Sequence, residues 1–169
     1  MQDLSRLQRL SATLYWVALV LSVVMPVIVL VHVAKGVGDP ASLVAGTPVT
    51  RLQAGLVAAV ALISVLPMVA ALRAMARLFG RYQDGEVLSA ANADTILQIG
   101  RALVLVAVFT VLVPTLQTLI LSWTASQRQL SIGIDGGTLG FLMAAGLLTV
   151  IGWAMREAAR VKAENEGFV

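Results

Sequence analysis

The chain has few side chains with the reactivity of a catalytic site. It contains no cysteine, which excludes disulfides, thiolate metal sites, iron–sulfur clusters and thiol nucleophiles. Its single histidine, His32, lacks the partners that a zinc site or a bis-histidine haem requires, unless two copies of the chain pair. The sequence also lacks a paired nucleophile and base. We therefore expect no enzyme activity, no metal and no cofactor, and we interpret His32 as a helix cap.

One group of polar side chains lies inside an apolar stretch. Gln117 is the largest of them, and Thr115 and Thr118 flank it close to Pro114. Their hydroxyl groups can bond to carbonyl groups that a proline leaves free. Both substrate binding and hydrogen bonding between helices are consistent with this group. No ionisable residue lies deep in any apolar stretch, which argues against a proton-coupled pump.

Charged residues are concentrated in two segments that could bind a protein partner. In the first, arginines recur every four residues, which places them on one face of a helix. In the second, the C-terminal tail, acidic and basic residues alternate at helical spacing. A solvated helix extension would explain the tail alone, whereas a network between the two segments would form a docking site. The predicted docking residues are Arg73, Arg77, Arg81, Asp84, Glu86, Asn92, Glu157, Glu164 and Glu166.

The composition places the chain in a membrane. Of its 169 residues, 59% are hydrophobic and 12% are charged, against about 45–50% and about 25% in soluble domains. The pI is near 10.0, but the net charge is only +3 and the basic residues lie beside the apolar stretches. We therefore expect the lipid bilayer, and not nucleic acid, as the partner of these residues.

Four apolar stretches are long enough to cross a bilayer. A helix needs about 20 residues to span a hydrocarbon core of about 30 Å, and four windows without Asp, Glu, Lys or Arg reach that length. We predict an all-α membrane four-helix bundle, a single domain over 1–169. The predicted segments are spans at about 12–33, 52–72, 102–122 and 137–155, a loop at 73–101 and a tail at 156–169.

The basic residues orient these spans. Nine Lys or Arg residues lie on the side of the termini and of loop 73–101, against three on the other side. Because cytoplasmic loops carry the excess of Lys and Arg, both termini, the loop and the tail are predicted in the cytoplasm. The prediction is a multi-pass protein of a bacterial inner membrane.

Small residues in the fourth span form a packing motif. Gly136, Gly140 and Ala144 follow a small-x-x-x-small spacing, which permits two helix backbones to approach closely. The partner helix can belong to the same bundle or to a second copy of the chain. Packing within the bundle is the interpretation that we favour.

Loop 73–101 contains its own turn and cap signals. Gly80 and Gly85 allow the chain to turn around Asp84. Ser89 and Asn92 can each cap a new helix, because their side chains accept hydrogen bonds from the first free N–H groups. The third helix is therefore predicted to begin near residue 90, ahead of its apolar part.

The same stretch carries a family resemblance. Residues 78–92 read LFGRYQDGEVLSAAN, and residues 157–169 read EAARVKAENEGFV. The first resembles the LF-x-x-Y-x-x-G-E-x-F-S/T-x-x-N loop of a domain-of-unknown-function family of small four-span bacterial membrane proteins, and the second resembles the tail of its members. Leu88 departs from the pattern, since the family more often has Phe there.

The resemblance covers essentially the whole length and implies fold and topology, but little chemistry. Some relatives are similar to proteins encoded beside small Cro/CI-type regulators, which implies a regulatory partner. We expect a non-enzymatic accessory or regulatory membrane protein that acts through its cytoplasmic loop and tail. A small oligomeric transporter or channel component is the alternative, and a second copy of the chain is then the partner.

Overall fold

Four long α-helices make up the protein. The computed structural model describes residues 2–43, 49–87, 89–123 and 133–166. The predicted all-α membrane fold is confirmed, and the described ranges contain no β-strand. The helices are α1 (Gln2–Gly38), α2 (Arg51–Gln83), α3 (Ala90–Leu121) and α4 (Gly136–Glu166), and a 3-10 turn lies at Pro40–Ser42.

Each helix is long and apolar enough to cross a membrane. The helices have 31 to 37 residues, which corresponds to roughly 46–55 Å at 1.5 Å per residue and exceeds a hydrocarbon core of about 30 Å. Large apolar side chains point outward: Met143 is 76% and Leu66 is 64% exposed. A soluble protein rarely shows such a continuous apolar surface. Lipid is therefore the solvent of these faces, and the protein is a multi-pass membrane protein.

The helices pack in the order of the chain. Close backbone contacts join α1 to α2, α2 to α3 and α3 to α4. On α1 the buried residues include Ser11, Ala18 and Ser22, whose spacings of seven and four place them on one narrow stripe. Small side chains along such a stripe let two helices approach closely. Most of the large apolar side chains of α1 are exposed.

The main core lies between α2, α3 and α4. It is formed by Ala71 and Leu78 of α2, Ile99 and Leu103 of α3, and Ala145 of α4. Ile99 is only 2% exposed and is one of the two largest fully buried side chains among the described residues. Helix α3 is the central element, because its buried residues face both α2 and α4.

Glycines allow the close approach of α3 and α4. A Cβ atom at Gly100 would lie 3.2 Å from the carbonyl oxygen of Ala145, and one at Gly152 would lie 2.8 Å from Leu97 Cδ2. Both distances are shorter than ordinary van der Waals contacts. A side chain at Gly152 would displace the side chain of Leu97, and one at Gly100 would displace Ala145 and Thr149 slightly.

Only Ala144 of the small-residue motif predicted for packing lies against the core. A Cβ atom at Gly136 or Gly140 would meet no described atom within 4 Å, so neither glycine lies at the contact between α4 and α3. Ala144 is half-buried and packs against the core. The motif was predicted from spacing alone, and spacing does not show which face of a helix meets its neighbour.

The two ends of the bundle differ in construction. We call the end with both chain termini and the α2–α3 hairpin the termini end, and the other end the distal end. At the distal end Thr50 and Gln53 form a reciprocal capping box that begins α2. The Gln53 side-chain amide also donates to the carbonyl oxygen of Ile120 at 3.0 Å, which ties α2 to the last turn of α3.

Helix α4 also begins at the distal end with a side-chain cap. The Asp135 carboxylate accepts hydrogen bonds from the backbone N–H and the hydroxyl of Thr138, at 2.8 and 2.9 Å. The backbone N–H bond is the largest cause that lowers the pKa of Asp135, and the hydroxyl bond adds to it. The carboxylate thus satisfies one of the N–H groups that a helix start leaves free.

Candidate functional site

The α2–α3 hairpin at the termini end has a tightly specified turn. Gly85 adopts a left-handed backbone with φ of +81°. Its N–H donates to the carbonyl oxygen of Tyr82 at 3.2 Å, and the N–H of Glu86 donates to that of Arg81 at 3.1 Å. This pair of bonds is the Schellman motif that ends many helices. The glycine that was predicted to permit the turn is required for it, since other residues are strained at this φ.

Helix α3 begins directly after the turn. Ser89 has an extended backbone, and its hydroxyl accepts a hydrogen bond from the backbone N–H of Asn92 at 3.2 Å. The predicted start near residue 90 is confirmed at Ala90. Of the two cap residues that the sequence left open, Ser89 is the cap. The Asn92 side chain does not cap the helix and forms other contacts.

Arg81 joins the two helices of the hairpin. One guanidinium nitrogen donates to the carbonyl oxygen of Ala91 and to the hydroxyl of Thr95, both at 2.9 Å. The same nitrogen lies 3.3 Å from the side-chain oxygen of Asn92. A charged donor strengthens each of these bonds. Arg81, predicted as a docking residue, therefore closes the hairpin from within.

Asn92 fixes the connecting segment. Its side chain is fully buried, with 0% exposure. Its amide nitrogen donates to the carbonyl oxygen of Glu86 at 2.5 Å and to that of Val87 at 3.2 Å. Two loop carbonyls that no helix can satisfy are thereby paired. Asn92, also predicted as a docking residue, is a structural anchor of the turn.

The turn displays two acidic side chains. Asp84 and Glu86 are both exposed, although the backbone of each takes part in the turn. Within the described ranges neither carboxylate forms a hydrogen bond or an ion pair. These two predicted docking residues have side chains that point outward from a backbone that the turn holds in place.

Helix α1 supports the hairpin from one side. The side-chain amide of Gln83 donates to the carbonyl oxygen of Ser11 at 3.3 Å. The ring of Tyr15 lies 3.8 Å from the position of a Cβ atom at Gly80. The first turns of α1 therefore restrain the last turns of α2.

An ion pair joins the tail segment to the hairpin. Arg156 of α4 pairs with Asp94 of α3. Asp94 lies just beyond the first turn of α3. Both side chains are about half exposed, and such a pair contributes only about 0–1 kcal/mol. Opposite charges at 94 and 156 were visible in the sequence, but their proximity depends on how α3 and α4 pack.

The tail acids contact an arginine of their own helix. Arg160 lies 2.5 Å from Glu157 and 3.8 Å from Glu164, at the spacings that place side chains on one helical face. The predicted contact of these acids with the arginines of α2 is therefore replaced by local pairs. The side chain of Glu166 and residues 167–169 lie outside the described part of the chain.

Two arginines of α2 face away from the turn. Arg73 and Arg77 are exposed. One guanidinium nitrogen of Arg77 lies 3.3 Å from the side-chain oxygen of Gln98 on α3. Both arginines line a groove against α1. They therefore do not share a surface with the turn acids through any described contact.

The predicted intramembrane cluster divides in two. The hydroxyl of Thr115 donates to the carbonyl oxygen of Val111 at 2.8 Å, and that of Thr118 donates to that of Pro114 at 3.0 Å. These bonds stay within α3, as is usual for threonine in membrane helices. Gln117 instead lines a cavity. No partner for its amide occurs among the described residues.

This cavity lies between α1, α2 and α3 at the distal end and has a volume of about 430 Å³. Its lining is apolar except for Gln117 and His32, and Leu43 closes it beside Gly36. The size falls within the range of small-molecule sites. No group of three metal-ligating side chains was found in the described ranges.

The sequence suggested that His32 caps a helix end, but it does not. Helix α1 continues to Gly38, and the Nδ1 atom of His32 lies 3.1 Å from the carbonyl oxygen of Ile28 in the preceding turn. The tautomer with its proton on Nδ1 donates there. The interpretation as a cap was wrong because the helix extends further than the apolar span.

A comparison with protein families identifies the chain. Residues 5–168 match the family model described as protein of unknown function (DUF2975), and the chain belongs to this family. The sequence resemblance to a four-span family of unknown function is thereby confirmed. No curated protein and no solved structure matches the chain.

Proposed function

We propose that this protein is a non-enzymatic accessory or regulatory protein of a bacterial inner membrane, and that it binds a protein partner in the cytoplasm through its α2–α3 hairpin. The observation that carries the proposal is the contrast within the turn. Its buried polar groups are paired with one another, whereas the carboxylates of Asp84 and Glu86 point outward without a partner in the described chain.

The cytoplasmic side is inferred from charge. Nine of the twelve Lys and Arg residues lie at the termini end, and membrane proteins retain such residues in the cytoplasm. A reporter fused after residue 87 is expected to give a cytoplasmic signal, and one fused after residue 42 an external signal. The opposite pair of signals would reverse the orientation and remove the cytoplasmic partner.

A preorganised turn suits recognition. Binding is weaker when a loop must be ordered on association. The contacts of Arg81 and Asn92 already order this turn in the free protein. Two carboxylates in the fixed turn favour a partner with a basic surface. Exposed charges at an interface mainly raise the association rate, in a salt-dependent manner.

The test is partner binding by charge-neutral variants. Asp84→Asn combined with Glu86→Gln is expected to reduce copurification of a stoichiometric partner after mild crosslinking, and the association rate of the wild type is expected to fall with added salt. Asp39→Asn removes one negative charge at the distal end and serves as the control. Equal binding by both variants would contradict the proposal.

The distal cavity supports a second candidate function, a small oligomeric transporter or channel component. Gln117 and His32 are the polar groups that a solute would meet there. Flux through liposomes that contain the purified protein, abolished by Gln117→Leu, would favour this function. Flux that the hairpin variants leave unchanged would contradict the regulatory proposal.

A further inference from the structure

A second concave site lies between α1 and α2 at the termini end. It is a groove of about 800 Å³. Its polar lining consists of Arg73, Arg77 and Tyr15, which we call the rim, and of Ser22. Its apolar lining, which we call the floor, includes Leu19, Val23 and Ala70. The groove is separate from the acids of the turn and from the distal cavity.

The rim carries positive charge that the described chain does not neutralise. Arg73 and Arg77 are four residues apart on one face of α2, where like charges repel each other. Neither Arg73 nor Arg77 takes part in an ion pair within the described ranges. Arg77 has only the neutral side chain of Gln98 as a partner. An anion between the two guanidinium groups would relieve the repulsion and accept bonds from both.

The groove lies where the apolar window of α2 ends. Arg73 directly follows the apolar window of α2. Ala70 lies about one turn deeper than Arg73, or about 5 Å along the helix. On the antiparallel α1, the chain descends in the same direction from Tyr15 through Leu19 to Val23. Because Tyr15 packs against Gly80, Leu19 and Val23 lie level with Arg77 and Arg73. The arginines and the apolar side chains of α1 therefore line opposite walls of the groove, which continues to the deeper Ala70.

We propose that this groove binds one anionic phospholipid, with its phosphate between Arg73 and Arg77 and an acyl chain along Leu19, Val23 and Ala70. Arginine binds phosphate with two parallel hydrogen bonds, and basic pockets between membrane helices suit anionic headgroups. A soluble anion would leave the apolar floor uncovered. An acidic peptide would satisfy the rim and not the floor. The site is independent of the partner proposed for the turn.

The test measures the lipid that stays bound to purified protein. The protein is reconstituted in vesicles of equimolar phosphatidylglycerol and phosphatidylcholine, extracted in mild detergent and analysed by native mass spectrometry. The wild type is expected to retain phosphatidylglycerol in preference to phosphatidylcholine. Arg73→Gln with Arg77→Gln is expected to lower that preference at least tenfold. Arg101→Gln, which removes an exposed arginine of α3 at the same end, is expected to leave it unchanged.

A second variant separates the groove from surface charge in general. Ala70→Phe fills the floor, keeps both arginines and alters an exposed position, so it is expected to lower lipid retention without loss of helicity. Arg73→Lys with Arg77→Lys keeps the charge and is expected to retain part of the preference. These two variants keep the proposal testable if the glutamine pair does not fold.

Three results would overturn the proposal. An equal loss in Arg101→Gln would mean diffuse attraction of anionic lipid. Displacement of the bound lipid by inorganic phosphate would mean a site for a soluble anion. A disulfide between two copies with cysteine introduced at position 70, in a chain that has no cysteine of its own, would mean that a second copy covers the groove.

Discussion

The two ends of the bundle use polar side chains in different ways. At the termini end, one turn contains a Schellman motif, a serine cap, a bridging arginine and a fully buried asparagine. At the distal end, polar residues cap the starts of α2 and α4, Gln53 adds one bond to α3, and Gln117 and His32 line a cavity. The difference shows where the chain fixes its geometry. The fixed end also carries exposed carboxylates, which is why we assign partner binding to it.

The largest expected effect is at the buried asparagine. Asn92→Ala leaves the carbonyl groups of Glu86 and Val87 without their donor, and we expect a loss of about 2–3 kcal/mol in the free energy of unfolding. Steric trapping in bicelles can measure it. Gln98→Ala, which removes an exposed partner of Arg77, is the control and is expected to cost under about 0.5 kcal/mol. Equal costs would mean that the turn is not specially anchored.

The next effect is at the glycine of the turn. Gly85→Ala places a Cβ atom on a left-handed backbone, and we expect a loss of about 1–2 kcal/mol in the same assay. Gly38→Ala at the distal end has open space around it and is expected to be neutral. If neither substitution changes the free energy of unfolding, the left-handed backbone at residue 85 does not require glycine.

A smaller effect is expected at the cap of α2. Gln53→Ala removes one half of the capping box and the bond to the carbonyl oxygen of Ile120, with an expected loss of about 1 kcal/mol. Its cost relative to Asn92→Ala compares the two ends directly. A larger cost for Gln53→Ala would place the stronger anchor at the distal end.

The smallest effect is a pH dependence at the start of α4. The pKa of Asp135 is lowered in the folded protein by the N–H and hydroxyl groups of Thr138. Its contribution is therefore complete above the ordinary Asp pKa of about 3.9 and is lost as the pH falls through the lowered value. Hydrogen exchange of the first turn of α4 is expected to accelerate in that acidic range. In Asp135→Asn this acceleration should be absent, and a similar acceleration there would assign it to another group.

Local features of the sequence predicted the helices and the turn between α2 and α3. The helices follow from apolar windows, because hydropathy and length are properties of a continuous segment. The start of α3 follows from Ser89, because a cap acts within three residues. Gly85 was recognised for the same reason, since the left-handed region favours glycine in any context.

Features that depend on packing were not predicted. Arg81 and Asn92 are polar residues in a loop, and only the folded hairpin shows that they bond to it and not to a partner. Gly140 fits a packing motif but lies in open space, whereas Gly152 meets Leu97. The sequence alone does not show how the helices are rotated relative to one another. This rotation decides both cases. The orientation in the membrane and the docking role of Asp84 remain predictions.

The most direct test of the account is a photocrosslinker in the turn, examined in native membranes. A benzoylphenylalanine residue in place of Glu86 is expected to form one discrete adduct with another protein, and Asp84→Asn in the same chain should weaken it. The same crosslinker in place of Asp39 at the distal end should give no such adduct. Adducts of equal yield from both positions, or an adduct from Asp39 alone, would contradict the assignment of partner binding to the termini end.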